Sequence, residues 1–302
     1  MSDIIKQKGR SEDGLPAFFI EKLLKEYGEE CERILEGFVR RPVTLRVNRL
    51  KTERAAVERV LSALGISTRR VAWYADALIV ENARERTLEE TELYQRGEIY
   101  LQSLSSMLPP LLVKPQAGES VFDMTAAPGG KTAQLSALSG GQALITACEK
   151  DKIRFERLAF NLRRQGVPRV NAMQTDAIKL DEFFRFDKIL LDAPCSGSGT
   201  VIAGEPVRLS EKLLSACVRA QTALLEKGLK LLKKGGTLVY STCSILKEEN
   251  EEILEKVLPR AGGTLVPVEG LDFLPTLPGK EGTVTVCPNE LFEGFFLAVI
   301  KK

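Results

Sequence analysis

Ser120-Val-Phe-Asp-Met-Thr-Ala-Ala-Pro-Gly-Gly-Lys-Thr132 runs from a short apolar strand into a glycine turn and then into a helix. The strand reads 120–124, Gly129 and Gly130 let the backbone turn sharply, and helical spacing resumes over about 131–139. The succession repeats: apolar strands read at 143–148, 170–174, 186–191 and 236–241, with helical stretches at about 152–165 and 211–233. Short apolar strands alternating with amphipathic helices demand crossover connections, so the spacing predicts an α/β fold whose parallel sheet is covered on both faces. In such a sheet ligands lie at the carboxyl ends of the strands. That rule singles out 123–131, 149, 176, 192–198 and 241–244.

Upstream, residues 15–100 mix helices with short strands. Pro16 can open a helix at its first position, with Phe18, Phe19, Leu23, Leu24 and Tyr27 at helical spacing. Thr44-Leu-Arg-Val-Asn48 alternates like a strand, a helix reads over 53–64, and 77–80 reads as another strand. A further helical run over 101–112 closes this α+β module. The expected division is therefore 1–112 and 113–302.

Composition narrows the chemistry. The 302 residues contain no histidine, which excludes Ser-His-Asp and Cys-His catalysis and zinc sites built on histidine. The six cysteines, at 31, 148, 195, 217, 243 and 287, lack the close spacing of a zinc ribbon or a redox pair, so no metal is expected. No apolar run is long enough for a membrane span, and the opening residues show no apolar signal core; the expectation is a cytoplasmic chain. Net charge is only +2, yet 33–70 holds ten Lys or Arg against three Glu, a net of +7 in 38 residues. Such an excess suits phosphate contacts, or else is a solvated face balanced by the acidic stretches 26–32 and 85–98.

The strand-end residues point to an adenosine-containing ligand. Gly130-Lys-Thr132 invites a P-loop reading, but Thr125 stands where the first glycine of that motif belongs. Glu149, twenty residues after Gly129, can accept hydrogen bonds from both hydroxyls of a ribose, and Asp176 can accept one from an adenine amino group. Either acid could equally be a helix cap. The pyrophosphate fingerprint Gly-x-Gly-x-x-Gly is missing, which favours S-adenosylmethionine over a dinucleotide. Two cysteines, Cys195 in Asp192-Ala-Pro-Cys-Ser-Gly and Cys243 in Ser241-Thr-Cys-Ser, fall on strand-end loops, where a thiol is a candidate nucleophile rather than core filler.

Those motifs, with Glu248-Glu-Asn-Glu251 after the second, resemble the Sun (Fmu-type, Nop/Sun) RNA cytosine carbon-5 methyltransferases. The resemblance covers nearly the whole chain and extends to Arg46-Val-Asn48, Gln102-Ser-Leu-Ser-Ser106 and Gly294-Phe-Phe-Leu-Ala298. It implies a Rossmann-like methyltransferase sheet, mostly parallel with helices on both faces, and a smaller N-terminal α+β RNA-binding domain. It also implies that Thr125, Ala126, Ala127, Pro128, Gly129, Gly130 and Lys131 hold the methionine part of S-adenosylmethionine. Glu149 would lie at the ribose, Asp176 at the adenine, and Arg154 in support. Cys243 would attack carbon 6 of cytosine, Cys195 would help release the product, Asp192 would hydrogen-bond the base, and Lys131 would support that carboxylate. The expected substrate is rRNA or tRNA and the expected state a monomer.

The chain departs from the pattern at Met124-Thr125 and at Val201-Ile-Ala-Gly-Glu-Pro-Val-Arg208, which lacks the Arg-Arg-Asp-Pro-like segment and tryptophan of many members; the sole tryptophan is Trp73. Two other functions fit parts of the pattern. One is a catalytically idle RNA-binding or ribosome-assembly protein, against which both cysteines and Asp192 speak. The other is a methyltransferase for an exocyclic amine, which would carry Asp-Pro-Pro-Tyr in place of Asp192-Ala-Pro-Cys195.

Overall fold

The structure, a computed structural model, describes residues 14–302. Residues 1–13, most of the opening stretch behind the cytoplasmic expectation, lie outside the described residues. By contacts the chain falls into two units that do not follow its order. One holds the chain up to Arg41 together with Ala193–Leu229 and Tyr240–Lys301; the other holds Pro42–Asp192, Lys230–Val239 and Lys302. The expected break between 112 and 113 falls inside the latter.

The first unit opens with α1 (Ala17–Tyr27) and α2 (Glu30–Glu36). Pro16 occupies the N-cap, one position before the helix that it was expected to begin. The spacing of Phe19, Leu23 and Tyr27 gives α1 one buried face, and Ile34, Phe38, Leu246 and Leu277 join it in a single apolar cluster.

In the second unit, β1 (Thr44–Val47), α3 (Arg54–Ala63), β2 (Thr68–Arg70) and β3 (Ala77–Val80) come first. The short helices α4 (Glu85–Glu89) and α5 (Glu92–Gln95) lead to β4 (Ile99–Leu101). The four strands form an antiparallel sheet in the order β2-β3-β1-β4. The predicted helix over 101–112 is corrected by this arrangement: Leu101 ends β4, and α6 (Leu104–Val113) starts only after Ser103, whose hydroxyl accepts from the Ser106 amide. Strands of three residues are too short to show alternation, which is why β2 and β4 were not legible.

The larger sheet of this unit is built from β5 (Ser120–Asp123), α7 (Gly130–Leu138), β6 (Leu144–Cys148), α8 (Lys152–Gln165), β7 (Val170–Met173) and β8 (Phe186–Asp192). After α9 (Glu211–Leu231) comes β9 (Leu232–Thr242), of which the part up to Val239 belongs here. The order is β9-β8-β5-β6-β7. β5 runs parallel to β6 and β8, and β6 parallel to β7, with Asp123 opposite both Ala147 and Leu190. The carboxyl ends of these strands therefore share one edge.

The first unit resumes with α10 (Glu251–Ala261), β10 (Thr264–Val266), β11 (Thr276–Leu277), β12 (Thr283–Val286) and β13 (Phe295–Lys301). β13 is antiparallel to β12 along Phe295 to Ala298 and to β10 along Val299 to Lys301. Among the described residues no helix is long and apolar enough to cross a membrane.

Inside the second unit, the small sheet is fastened to the helices of the larger one by buried polar groups. Arg46 on β1 is fully buried and donates to Gln102 at 3.0 Å, to the Gly130 carbonyl at 3.2 Å and to Gln165 at 3.2 Å. Asn48, also fully buried, donates to the carbonyls of Gly97 and Gln165, each at 2.8 Å. Gly97, at φ +68°, brings the backbone so close to α8 that a Cβ there would lie 2.2 Å from the Arg164 carbonyl oxygen. Burial holds the Arg46 guanidinium below its ordinary pKa, and its partners are neutral acceptors with fixed positions. Replacing it strands those acceptors in the interior. Arg46→Ala is expected to lower the free energy of unfolding by about 3 kcal/mol in urea titrations; a loss under about 1 kcal/mol would show that the network is dispensable.

Candidate active site

The loop after β5 is shaped by ties to both neighbouring strands. The Met124 amide donates to the Leu190 carbonyl on β8 at 3.0 Å, and the Ala126 amide to the Cys148 carbonyl on β6 at 2.9 Å. Gly129 takes φ +105°, a conformation that L side chains rarely adopt, and so turns the chain into α7. Gly130 passes the Tyr100 ring so closely that a Cβ would lie 2.5 Å from it. The loop opens onto a cavity of about 230 Å³ lined by Thr125, Ala126, Ala127, Pro128, Gly130, Lys131 and Asp192. Tyr100, Gln102, Ser103 and Ser106 line it too, from the segment around the start of α6. No site role was expected of these four; their sequence signal was a polar Gln-Ser-x-Ser-Ser run directly ahead of an apolar helix.

Lys131 and Asp192 meet in this cavity, Nζ to Oδ2 at 2.7 Å, and the Thr125 hydroxyl donates to the Asp192 carbonyl at 2.7 Å. Behind them Asp123 is buried and accepts from the Thr132 hydroxyl at 2.7 Å. Burial pushes its carboxyl up to about 6; the Thr132 hydrogen bond opposes the rise and the neighbouring Asp192 adds to it. Glu149 sits just past β6 with its side chain buried, accepting from the Asp151 amide at 2.9 Å. Arg154 on α8 lies 3.4 Å from Glu149 and donates to the Ala127 carbonyl at 3.2 Å, so it links the acid to the loop. Asp176 caps the short turn Ala177–Lys179 through the Ile178 amide, which engages one of its oxygens in the cap alternative noted from sequence. Gly129, Glu149, Arg154 and Asp176 are not part of the cavity lining.

The first unit holds Cys195 and Cys243. Cys195 follows β8 by three residues, and Cys243 directly follows β9. Their sulfurs are 2.9 Å apart and both thiols are free. Backbone and hydroxyl bonds tie the two loops: the Ala193 amide to the Ser241 carbonyl at 2.8 Å, the Gly199 amide to the Cys243 carbonyl at 3.0 Å, and Ser198 to Ser244 at 2.8 Å. The hydrogen bond with Cys243, and burial after it, hold the Cys195 thiol well above the ordinary range. The other four cysteines are buried, as core residues of that type usually are. Among the described residues no group of three or more Cys, Asp or Glu side chains is gathered as metal ligands would be.

The basic segment 33–70 is largely neutralised where it stands. Arg33 pairs with Glu30, Arg40 with Glu205, Arg49 with Glu53 and Asp76, Arg54 and Arg70 with Glu58, and Arg69 with Glu81. Arg46 is buried, and Lys51 donates to the carbonyls of Arg96 and Arg164. Six of its ten cations thus face carboxylates, which favours the balanced-surface alternative for much of this stretch.

Comparison with known proteins matches this geometry to a family. A model described as 16S rRNA methyltransferase RsmB/F matches residues 110–301, and one described as the ferredoxin-like domain of RsmF/B-like methyltransferases matches 15–86. A 28S rRNA (cytosine-C(5))-methyltransferase of Mus musculus is 34% identical over 311 residues, 94% of this chain and 38% of its own length. A probable ribosomal RNA small subunit methyltransferase B of Bacillus subtilis is 31% identical over 312 residues, 97% of this chain and 67% of its own. The crystal structure of NSun6 from Pyrococcus horikoshii with SFG superposes with a TM-score of 0.85 at 25% identity, covering 96% of this chain and 99% of that one. The chain spans from a third to about half the length of the first curated relatives it matches, 38%, 33% and 51%.

The raised Asp123 pKa makes stability depend on pH. From its ordinary value of 3.8 up to about 6 the folded chain keeps a proton that the unfolded chain has lost. The stabilising contribution is therefore complete below 3.8 and disappears as pH rises through 6. Asp123→Asn keeps an acceptor for Thr132 and cannot ionise. Its stability relative to wild type is expected to improve by about 2 kcal/mol between about pH 4 and pH 7; chemical denaturation showing a pH-independent difference would contradict this.

Proposed function

The chain belongs to the RsmB/F family of RNA cytosine-C5 methyltransferases, and we propose that it transfers a methyl group to carbon 5 of a cytidine in rRNA or tRNA. The observation that carries this reading is the pair of free thiols 2.9 Å apart on two strand-end loops. Methylation of an exocyclic amine needs no cysteine, and an idle binding protein needs neither thiol.

The residues present fit S-adenosylmethionine. Gly129 and Gly130 bring backbone close to a ligand, the buried Glu149 offers a carboxylate at the end of β6, and the cavity at Lys131 and Asp192 leaves room beside the loop. When bound, that cofactor supplies a methyl on a sulfonium. We assign its methionine part to 125–131, its ribose to Glu149 with Arg154 in support, and its adenine to Asp176.

Carbon 5 of cytosine is too weak a nucleophile to take a methyl unaided. The Cys243 thiolate adds to carbon 6, and the ring becomes an enamine whose carbon 5 attacks. Asp192, hydrogen-bonded to the base as the acid, gives its proton to ring nitrogen 3 as negative charge develops there, and Lys131 holds the carboxylate left behind until that proton returns. Loss of the carbon 5 proton to water then expels the Cys243 sulfur and restores the aromatic ring. Cys195, whose thiol is held protonated beside Cys243, can give its proton to the departing Cys243 sulfur and so suits release rather than attack. The cytidine must be presented out of a stacked helix. In this reading the module up to residue 112 positions the RNA, residues 113–302 carry out the transfer, and the chain acts as a monomer. Six free thiols suit the reducing cytoplasm.

The two cysteines are expected to behave oppositely. Cys243→Ala should abolish methyl transfer and leave no covalent adduct with RNA. Cys195→Ala should still permit attack, so protein and RNA should accumulate as a complex that survives denaturing electrophoresis. An adduct from Cys243→Ala alone would exchange the roles, and no adduct with either variant would count against the covalent route.

A further inference from the structure

Glu249 and Asn250 stand next to each other where the turn Lys247–Glu249 meets α10; Asn250 grips both residues that flank Cys243, and Glu249 grips one neighbour of Cys195 directly and reaches the other through Gln221. Glu249 is fully buried. Its Oε1 accepts from the Ser196 amide at 2.8 Å and from Gln221 at 3.1 Å, and its Oε2 accepts from the Ser196 hydroxyl at 2.5 Å. The same Gln221 nitrogen donates to the Pro194 carbonyl at 3.0 Å. Cys195 is thus held on one side directly and on the other through Gln221. Asn250, also fully buried, accepts from the Thr242 hydroxyl at 2.6 Å and donates to the Ser244 carbonyl at 2.9 Å, which fixes both neighbours of Cys243.

Both residues give something up for these contacts. Asn250 is the N-cap of α10, where an asparagine side chain ordinarily satisfies the first helical amides, yet it makes no cap bond. Glu249 is a carboxylate withdrawn from water whose hydrogen-bond donors are two neutral side chains and one amide. Burial on those terms is unfavourable unless the geometry serves a purpose. The other ties between the loops run from Ala193 to Ser241, from Gly199 to Cys243 and from Ser198 to Ser244 and Ile245; none of them engages Pro194, Ser196 or Thr242, the residues next to the thiols that Glu249, Gln221 and Asn250 hold.

We propose that Glu249 and Asn250 are a positioning pair that sets the separation of the Cys195 and Cys243 thiols. The consequence for turnover rests on the functional reading above. Neither residue touches the reacting atoms; each acts through the backbone beside a cysteine.

Phenylarsine oxide tests the pair on the whole protein without RNA or methyl donor, because one trivalent arsenic bridges two adjacent thiols with release of water. The Cys195–Cys243 bridge is followed by peptide mass spectrometry. Wild type should bridge readily, and Glu249→Ala and Asn250→Ala should bridge about tenfold more slowly or worse, the scale set by losing one such hydrogen bond. Glu249→Gln should stay near wild type, since its amide oxygen still accepts from the Ser196 amide and Gln221 while its nitrogen donates to the Ser196 hydroxyl. Asn250→Asp should be slow, since it sets an oxygen against the Ser244 carbonyl. These two near-isosteric variants decide the matter if the alanine variants do not fold.

In RNA methylation, Glu249→Ala should lower kcat with the KM for RNA unchanged, and Glu249→Gln should restore it. Equal bridging rates in all variants would overturn the proposal, even in an enzyme that methylates cytidine. Bridging that depends on residues 249 and 250 in a protein that never methylates cytidine would uphold the positioning claim and reject the functional reading instead.

Discussion

Parallel pairing of β5 with β6 and β8 is the constraint on which the cofactor side of the molecule depends. Neighbouring strands that point the same way must end at the same edge, and each must be followed by a connection long enough to return. Asp123, Glu149 and Asp192 therefore gather at one edge although they are far apart in sequence. The loop between β5 and α7 is then drawn in from both sides by the Leu190 and Cys148 carbonyls, which leaves its glycines to make the close approach. The buried Arg46 and Asn48 reinforce this arrangement from behind, because the Gly130 carbonyl at the start of α7 is one of the Arg46 acceptors.

The electrostatics of a site without histidine follow from burial. Asp123 is driven toward its neutral form by the interior, whereas Asp192, nearer the surface, is held by the Lys131 ammonium at 2.7 Å. Two carboxylates that line the same cavity thus stand in different environments. The cysteines divide in a comparable way: contact with Cys243 and burial keep the proton on Cys195. A chain with no imidazole thus still holds side chains that keep their protons through burial and close contact.

Legibility in the sequence tracked element length and chain distance. The strands and helices between 120 and 242 were visible because each is an apolar or amphipathic run bounded by Gly, Pro or Asp. β10 and β11 were missed because strands of two or three residues carry too few alternations, whereas α10 and β13, of 11 and 7 residues, were long enough to read and were not read as elements. Thr283-Val-Thr-Val286 did alternate and could have been found. Glu149, Lys131 and Asp192 were legible as strand-end residues, whereas Tyr100 at β4, Gln102 and Ser103 after it and Ser106 in α6 reach the cavity from outside the parallel sheet, which no local pattern reports. The charge excess over 33–70 left two readings open for the same reason, since Glu205 and Glu81, partners of Arg40 and Arg69, lie outside that stretch.

The most direct test of the account is the chemical identity of the product nucleoside. The purified chain is incubated with ribosomal or transfer RNA and methyl-labelled S-adenosylmethionine, the RNA is digested to nucleosides, and the label is located by chromatography against standards. The account predicts label in 5-methylcytidine. Label in an N4-methylated cytidine, or RNA left unlabelled by a chain that binds both the cofactor and RNA, would contradict it.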